Sequence, residues 1–148
     1  MADVGTIEII IRLVLSVGLG ALVGYEREMS HKPAGLRTHM LVCLGACTFT
    51  VITLTSFSST PAILSGILTG IGFIGAGSII ATSGHVQGIT TAATLWAVAS
   101  VGFASGAGSY VLAIVAAVLV FIILQIKKVE SKYKENKYKI KRTFSFRP

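Results

Sequence analysis

The residues best suited to chemistry in this chain are crowded into one short charged segment, residues 24–37, which reads GYEREMSHKPAGLR. A cation beside the start of a helix favours binding of an anion, because helix N-termini expose unpaired N–H groups and positive dipole. The segment therefore predicts an anion-binding surface. Its charged side chains are two carboxylates and three cations: Glu26, Glu28, Arg27, Lys32 and Arg37.

Two further sets of side chains have spacings that bring them together on a helix. Glu8 and Arg12 are four residues apart with the acid first, the favourable order for a helical ion pair, and the pair is either a structural anchor or a functional site within the membrane. His39, Cys43 and Cys47 repeat every four residues but extend over about 12 Å of helix, so at most two could share a metal ion. We expect small buried thiols and no metal site.

A long uncharged stretch decides the class of protein. No Asp, Glu, Lys or Arg occurs between Thr38 and Ile126, 53% of all residues are hydrophobic and only 13% are charged. Soluble domains carry about 25% charged residues, whereas a charge at the centre of a bilayer costs roughly 2.5–3.5 kcal/mol or more. The chain is therefore predicted to be an integral membrane protein.

Apolar windows bounded by turn residues predict five membrane spans, at about residues 7–25, 37–55, 62–82, 89–105 and 109–126. The net charge of +7 lies entirely in residues 127–148, and the other bases near span ends lie in the first loop. The positive-inside rule places both in the cytoplasm. We predict an all-α membrane protein, a bundle of about five transmembrane helices with the N-terminus outside and the C-terminus cytoplasmic. Residues 1–126 form its transmembrane domain and residues 127–148 its basic cytoplasmic tail.

This topology brings two predicted helix starts to the cytoplasmic side. Pro33 and Gly35 predict a turn, which leaves Arg37 and Thr38 in the first turn of the second span. The fourth span begins on the same side with two threonine hydroxyls, those of Thr90 and Thr91. The predicted anion is a lipid phosphate, a nucleotide or the internal carboxylates Glu26 and Glu28. If the carboxylates take this place, the cations form internal ion pairs and bind no external ligand.

Glycines mark the third span. Gly66 and Gly70 have the small-xxx-small spacing that lets membrane helices pack closely, as do Gly20 with Gly24 and Gly102 with Gly106. The alternative is a broken helix whose carbonyls line a polar cavity. The candidate packing or pore residues in this region are Gly66, Gly70, Gly72, Gly75, Gly77, Thr90 and Thr91.

The sequence does not indicate a catalytic site. The uncharged stretch holds no carboxylate for acid–base catalysis, and the serines have no acid and histidine at a recognisable spacing. The sequence from Gly70 to Gly75 matches a dinucleotide-binding pattern, but no strand is predicted before it and no acid follows about 20 residues further on. We therefore expect a protein that is not an enzyme, with no catalytic residues and no cofactor.

Several motifs together resemble one family. The runs GALVGYERE (20–28), KPAGLRTH (32–39), GIGFIGAG (70–77) and GITTAA (88–93) are similar to those of the MgtC/SapB family of bacterial membrane proteins. The resemblance implies an inner-membrane protein with a cytoplasmic C-terminus. It also implies links to growth in low magnesium and to survival inside macrophages, and one family member acts on the proton-translocating ATP synthase. The functional motif that we take from these runs and from the first span comprises Arg12, Glu26, Arg27, Glu28, Lys32, Pro33, Gly35, Arg37 and Thr38.

The chain departs from the family pattern in three respects. Many members continue into a cytoplasmic ACT-like domain, so we expect a short form without it. Family members often have Arg and Gln where this chain has Ala62 and Gly66, and Arg where it has Gln87. Any family role that needs those side chains is in question for this chain.

Two functions compete on this reading. The first is regulation of membrane energetics or of adaptation to low magnesium through protein contacts, and the second is a small ion or solute channel or transporter that uses the third span. Magnesium prefers carboxylates, and no predicted span centre offers one, so we favour regulation. The expected partners are the bilayer, with anionic lipid at the basic tail, and, by resemblance, a membrane complex such as ATP synthase. A homodimer is also expected, and nucleic acid is not.

Overall fold

The computed structural model describes residues 5–56, 60–82 and 85–126, which form five helices and a short hairpin. In chain order the helices are α1 (Thr6–Met29), α2 (Leu36–Ser56), α3 (Thr60–Gly77), α4 (Ile89–Gly106) and α5 (Tyr110–Ile126). Strands β1 (Ile80–Thr82) and β2 (His85–Gln87) pair antiparallel between α3 and α4. The predicted all-α bundle of about five helices is confirmed, while its orientation stays a prediction. The basic tail lies outside the described residues.

Helix length and composition agree with a membrane location. Within the described residues, α1, α2 and α4 are each long and apolar enough to cross a bilayer, and the apolar segments of α3 and α5 are shorter, Ala62–Gly77 and Tyr110–Ile126. The three long helices have 24, 21 and 18 residues. At a rise of 1.5 Å per residue they extend over about 27–36 Å, close to the roughly 30 Å of a hydrocarbon core.

The predicted end of the third span is wrong. It was placed at residue 82, but α3 ends at Gly77 and the chain then turns into the hairpin, where Ala81 faces Val86. Ile79 and Ile80 extend the apolar window past the helix, although both are exposed. Hydropathy alone cannot separate an apolar strand residue from an apolar helix residue. Helix α1 also continues beyond the predicted first span, through the charged residues to Met29.

Close helix packing is built on glycines of α1 and α4, both of which pack against α2. A Cβ on Gly20 would lie 2.9 Å from the Cβ of Cys43, and one on Gly24 would lie 2.8 Å from the Cα of Leu36. On α4, a Cβ on Gly106 would lie 2.7 Å from the Cβ of Thr50, and one on Gly102 would overlap a backbone carbonyl of α2. The absent side chains therefore let both helices approach the α2 backbone, as the small-xxx-small spacing predicted.

The third span does not pack as its glycine spacing predicted. Cβ atoms added to four of its glycines would meet nothing within 4 Å, and only Gly75 has a close neighbour, Ala92 of α4 at 3.5 Å. Helix α3 is also continuous from Thr60 to Gly77, so the alternative of a broken helix is wrong as well. It is attached instead through Ile71, which packs against Ala46 and Ala99. The four open positions are Gly66, Gly70, Gly72 and Gly77.

Helix α5 completes the bundle with small side chains. Ala113 and Ala117 are fully buried in the same apolar cluster as Val23 and Val101. The opposite face of the helix is exposed and aliphatic, with Val111 at 77% exposure. A surface of this kind is suited to lipid, since the bilayer core is as apolar as the side chains that meet it.

Candidate functional site

Helix α1 ends in a capped turn that fixes the charged loop. The N–H of His31 donates to the Glu28 carbonyl at 2.9 Å and that of Lys32 donates to the Arg27 carbonyl at 3.0 Å. These are the two bonds of a Schellman motif, with His31 in the left-handed conformation at a φ of 50°. The loop therefore leaves α1 in a defined direction and holds Lys32 beside the last turn of the helix.

The start of α2 is capped by a carboxylate from α1. Glu28 Oε2 accepts a hydrogen bond from the Leu36 backbone N–H at 3.0 Å. Of the anions considered for this helix start, an internal carboxylate is the one that the structure places there. Arg37, by contrast, is exposed, whereas Glu26 is buried and accepts a hydrogen bond from Ser30 Oγ at 2.7 Å. The two helix starts and Arg37 therefore do not share one ligand as the sequence suggested.

Removing the Glu28 carboxylate should loosen α2. We expect Glu28→Ala to lower the free energy of unfolding by about 1 kcal/mol, the usual cost of losing a side-chain cap at a helix N-terminus. Glu28→Gln keeps an acceptor oxygen without the charge and should lose about half as much. Thermal unfolding in detergent, followed by circular dichroism, measures both. Equal stability of wild type and Glu28→Ala would show that this hydrogen bond contributes nothing.

Buried polar contacts join α1, α2 and α4 at the same end of the bundle. Arg27 is only 4% exposed, and its Nη2 donates to Thr91 Oγ1 at 2.9 Å. Thr94 Oγ1 donates to the Thr91 carbonyl at 2.8 Å and lies 3.3 Å from His39 Nε2. His39 Nδ1 in turn lies 2.9 Å from the Gly35 carbonyl. Buried polar groups are costly unless they are hydrogen-bonded, so these contacts fix the relative positions of the three helices.

Sequence reasoning missed part of this network. Thr94 was not considered, and His39 was weighed only as a metal ligand, although Thr91 and Thr94 lie three residues apart and hence on one helix face. The predicted buried thiols are confirmed, because Cys43 and Cys47 are buried and free. Among the described residues no group of three His, Cys, Asp or Glu side chains is placed to hold a metal ion.

A cleft of about 520 Å³ opens between the loop after α1 and the start of α4. Helix α4 begins after Gly88, whose φ is 91° and whose missing side chain leaves room for the Ser78 carbonyl. The N-cap residue, Gly88, has no side chain to cap this helix start. The structure thus brings Lys32 together with the start of α4, as predicted, but Arg37 is not part of the lining. The polar or basic lining residues are Arg27, His31, Lys32, Gln87, Thr90 and Thr91.

Arg12 lies at the opposite end of the bundle and serves as an anchor. It is 7% exposed, its Nη2 pairs with Glu8, and its Nη1 donates to the Gly106 carbonyl at 2.5 Å. Gly106 is the last residue of α4, where carbonyls have no partner within the helix. The Cys47 thiol lies 3.5 Å from the Arg12 carbonyl. Of the two alternatives for Arg12, the structure shows the contacts expected of a structural anchor.

The predicted site residues therefore fall into separate groups. Arg12 contacts the end of α4 and is remote from the charged loop. Cβ atoms added to the α3 glycines Gly66, Gly70 and Gly72 would contact no other residue. Gly35 lies against the Glu28 side chain. Pro33 lines the cleft with Thr90 and Thr91, whereas Thr38 is only partly exposed and lies outside the lining. The cleft therefore contains only part of the predicted motif.

Comparison with known proteins supports one family. The family model described as the MgtC family matches residues 13–133. The protein MgtC of Brucella abortus is 47% identical over 107 residues, 71% of this chain and 45% of that protein, and MgtC of Salmonella typhimurium LT2 is 40% identical over 112 residues, 75% and 48% respectively. Escherichia coli K12 YhiD, whose name gives magnesium transport as a provisional assignment, is 36% identical over 131 residues, 82% of this chain and 61% of that protein. No solved structure matches the chain significantly.

Proposed function

The chain belongs to the MgtC family, and on this basis we propose that it is a non-enzymatic regulator that acts by contact with another membrane protein complex. Its family and its apolar helices make it a multi-pass protein of the bacterial inner membrane, linked through its relatives' names to magnesium. It spans about half to three-fifths of the length of those relatives. The regulatory role and the partner are our proposal for this chain.

The observation that carries the proposal is the exposure of Arg37. Three other charged residues of the motif at this end are engaged within the chain, Arg27 with Thr91, Glu26 with Ser30 and Glu28 with the start of α2, and Lys32 lines the cleft. Arg37 stands exposed in the first turn of α2, where Glu28 already accepts from the Leu36 N–H. An exposed cation on a rigid helix is suited to an acidic patch of a partner, since charges at an interface set specificity and association rate.

The charge distribution of the helices argues against magnesium permeation. Magnesium dehydrates reluctantly and is held by carboxylates, yet no Asp or Glu occurs between Thr38 and Ile126. The acidic residues of α1 lie near its two ends, with Glu8 in the first turn and Glu26 and Glu28 in the last. A path along α2, α3, α4 or α5 would therefore offer the ion no carboxylate.

Copurification with a named complex tests the proposal. Bacterial ATP synthase is the partner suggested by the resemblance to the family, and its catalytic subunit can be quantified by mass spectrometry after mild detergent extraction and affinity capture of the chain. We expect Arg37→Ala to reduce the recovered subunit about tenfold, a loss of roughly 1.4 kcal/mol of interaction. Arg37→Lys should keep most of it, and Lys32→Ala should leave it unchanged. Equal recovery with wild type and Arg37→Ala would refute this contact.

Flux measurements test the competing function directly. Liposomes that contain only this protein and a magnesium-sensitive dye should take up magnesium no faster than empty liposomes. If uptake does occur and Gly72→Leu abolishes it, transport replaces regulation as the function. Gly72 is the right position, because nothing lies within 4 Å of an added Cβ and the substitution should not disturb the fold.

A further inference from the structure

The cleft beside the start of α4 has an unusual balance of charge. Two cations, Arg27 and Lys32, and the imidazole of His31 line it, and no carboxylate is among its lining residues. Of the two carboxylates nearest in sequence, Glu28 caps α2, whereas the buried Glu26 accepts from Ser30 and also interacts electrostatically with Arg27. The lining itself carries a net positive charge, because Lys32 adds a second cation and no carboxylate is among the lining residues that the structure describes.

The backbone at this place adds hydrogen-bond donors. Helix α4 has 18 residues, and its first turn, Ile89 to Thr91, forms part of the cleft wall. The residue before it, Gly88, is in the left-handed conformation and supplies no side-chain cap. The first N–H groups of a helix have no partner within the helix, and together with the helix dipole they favour an anion.

Arg27 gives a second and independent indication of a ligand. Its side chain is buried, it lines the cleft, and its Nε has no hydrogen-bond partner among the described residues. The bond from its Nη2 to Thr91 Oγ1 holds the guanidinium against the first turn of α4. A buried, partly unsatisfied guanidinium is costly, and a bound anion at this position would remove much of that cost.

We propose that this cleft binds a phosphate group, carried either by a phospholipid headgroup or by a soluble phosphate ester. Arginine, lysine and a free helix N-terminus are the donors that proteins combine for phosphate. The volume of about 520 Å³ leaves room for the group to which the phosphate is attached. By the positive-inside rule this end of the bundle faces the cytoplasm, where both sources of phosphate are present.

Binding to the purified chain tests the site with two probes. The first is inorganic phosphate, titrated calorimetrically against the protein in an uncharged detergent. The second is phosphatidylglycerol, counted by native mass spectrometry after exchange from nanodiscs that also contain a zwitterionic lipid. Saturation by the first probe alone identifies a soluble ligand, and retention of the second alone identifies a lipid. Binding of neither would overturn the proposal.

Substitutions locate the binding. We expect Lys32→Gln and Arg27→Gln each to weaken binding about tenfold or more, as for loss of one charge-assisted contact, and Gln87→Arg to strengthen it. Gln87 lines the cleft and is exposed, so the added cation can be accommodated. Arg37→Gln is the matched control, because it removes an exposed cation at the same end of the bundle but outside the lining.

The control also separates this site from the partner contact. If Arg37→Gln weakens phosphate binding as much as Lys32→Gln does, the probes respond to diffuse surface charge and the proposal is wrong. Should Arg27→Gln fail to fold, Lys32→Gln and Gln87→Arg still decide the matter. Loss of phosphate binding in Lys32→Gln leaves the proposed complex untouched, since that contact depends on Arg37 and is measured separately.

Discussion

Gly102→Ala should be among the most destabilising substitutions in the helical bundle. The added methyl group would overlap the Cys43 carbonyl oxygen and lie 2.9 Å from the Cβ of Ala46. A backbone carbonyl cannot rotate away as a side chain can, so α4 must move off α2. Overpacking of this kind costs about 1–3 kcal/mol, and we expect the upper end of that range, with a fall of roughly 5–10 °C in the unfolding midpoint.

Gly70→Ala is the matched control for this substitution. It makes the same chemical change inside a helix, but its added Cβ meets nothing within 4 Å. The midpoint should stay at or slightly above the wild-type value, because alanine has the higher helix propensity. Circular dichroism melts in detergent measure both proteins. Equal midpoints for Gly102→Ala and Gly70→Ala would contradict the packing of α4 on α2.

Arg12→Met should be nearly as destabilising, for an electrostatic reason. Methionine fills most of the volume of the arginine stem but leaves the Gly106 carbonyl without its donor. A buried polar group that loses its partner costs about 1–3 kcal/mol. We therefore expect Arg12→Met to lower the free energy of unfolding by about 2–3 kcal/mol.

Glu8→Gln separates the two contacts of Arg12. The Glu8 side chain is 45% exposed, so it can be solvated when the pair is broken, and exposed pairs of this kind contribute about 0–1 kcal/mol. The substitution should therefore be close to neutral in the same melting experiment. A larger loss in Glu8→Gln than in Arg12→Met would mean that the ion pair, and not the bond to Gly106, holds the two helices together.

The class of fold followed from the sequence because charge is so costly in a bilayer. The uncharged stretch after Arg37 left no soluble alternative, and the small-xxx-small spacings of α1 and α4 predicted contacts that the structure contains. The same spacing predicted close packing at Gly66 and Gly70, and this prediction is wrong, because both face open space. A spacing shows that a helix offers a flat face, but the partner of that face depends on the whole bundle.

The candidate site was predicted only in part, for a related reason. The sequence predicted that Lys32 lies near the start of α4. It did not predict which helix N-terminus the internal carboxylates would cap. Glu28 reaches α2 because His31, in the left-handed conformation, turns the chain back towards α1. A histidine in the sequence does not predict that conformation. The hairpin was missed because β1 and β2 have only three residues each, too few for a periodic signal.

The contact of α2 with two glycine-bearing helices has a consequence for biogenesis. Helices α1 and α2 emerge first from the ribosome and carry complementary surfaces, Gly20 and Gly24 against His39 and Cys43, so they can pair at once. Helix α4 then docks against this pair, with Gly102 and Gly106 on α2. Helix α3 is synthesised before α4, and at that stage it can pack on α2 through Ile71 and Ala46. Its docking is completed only when α4 is inserted and supplies the second half of that contact.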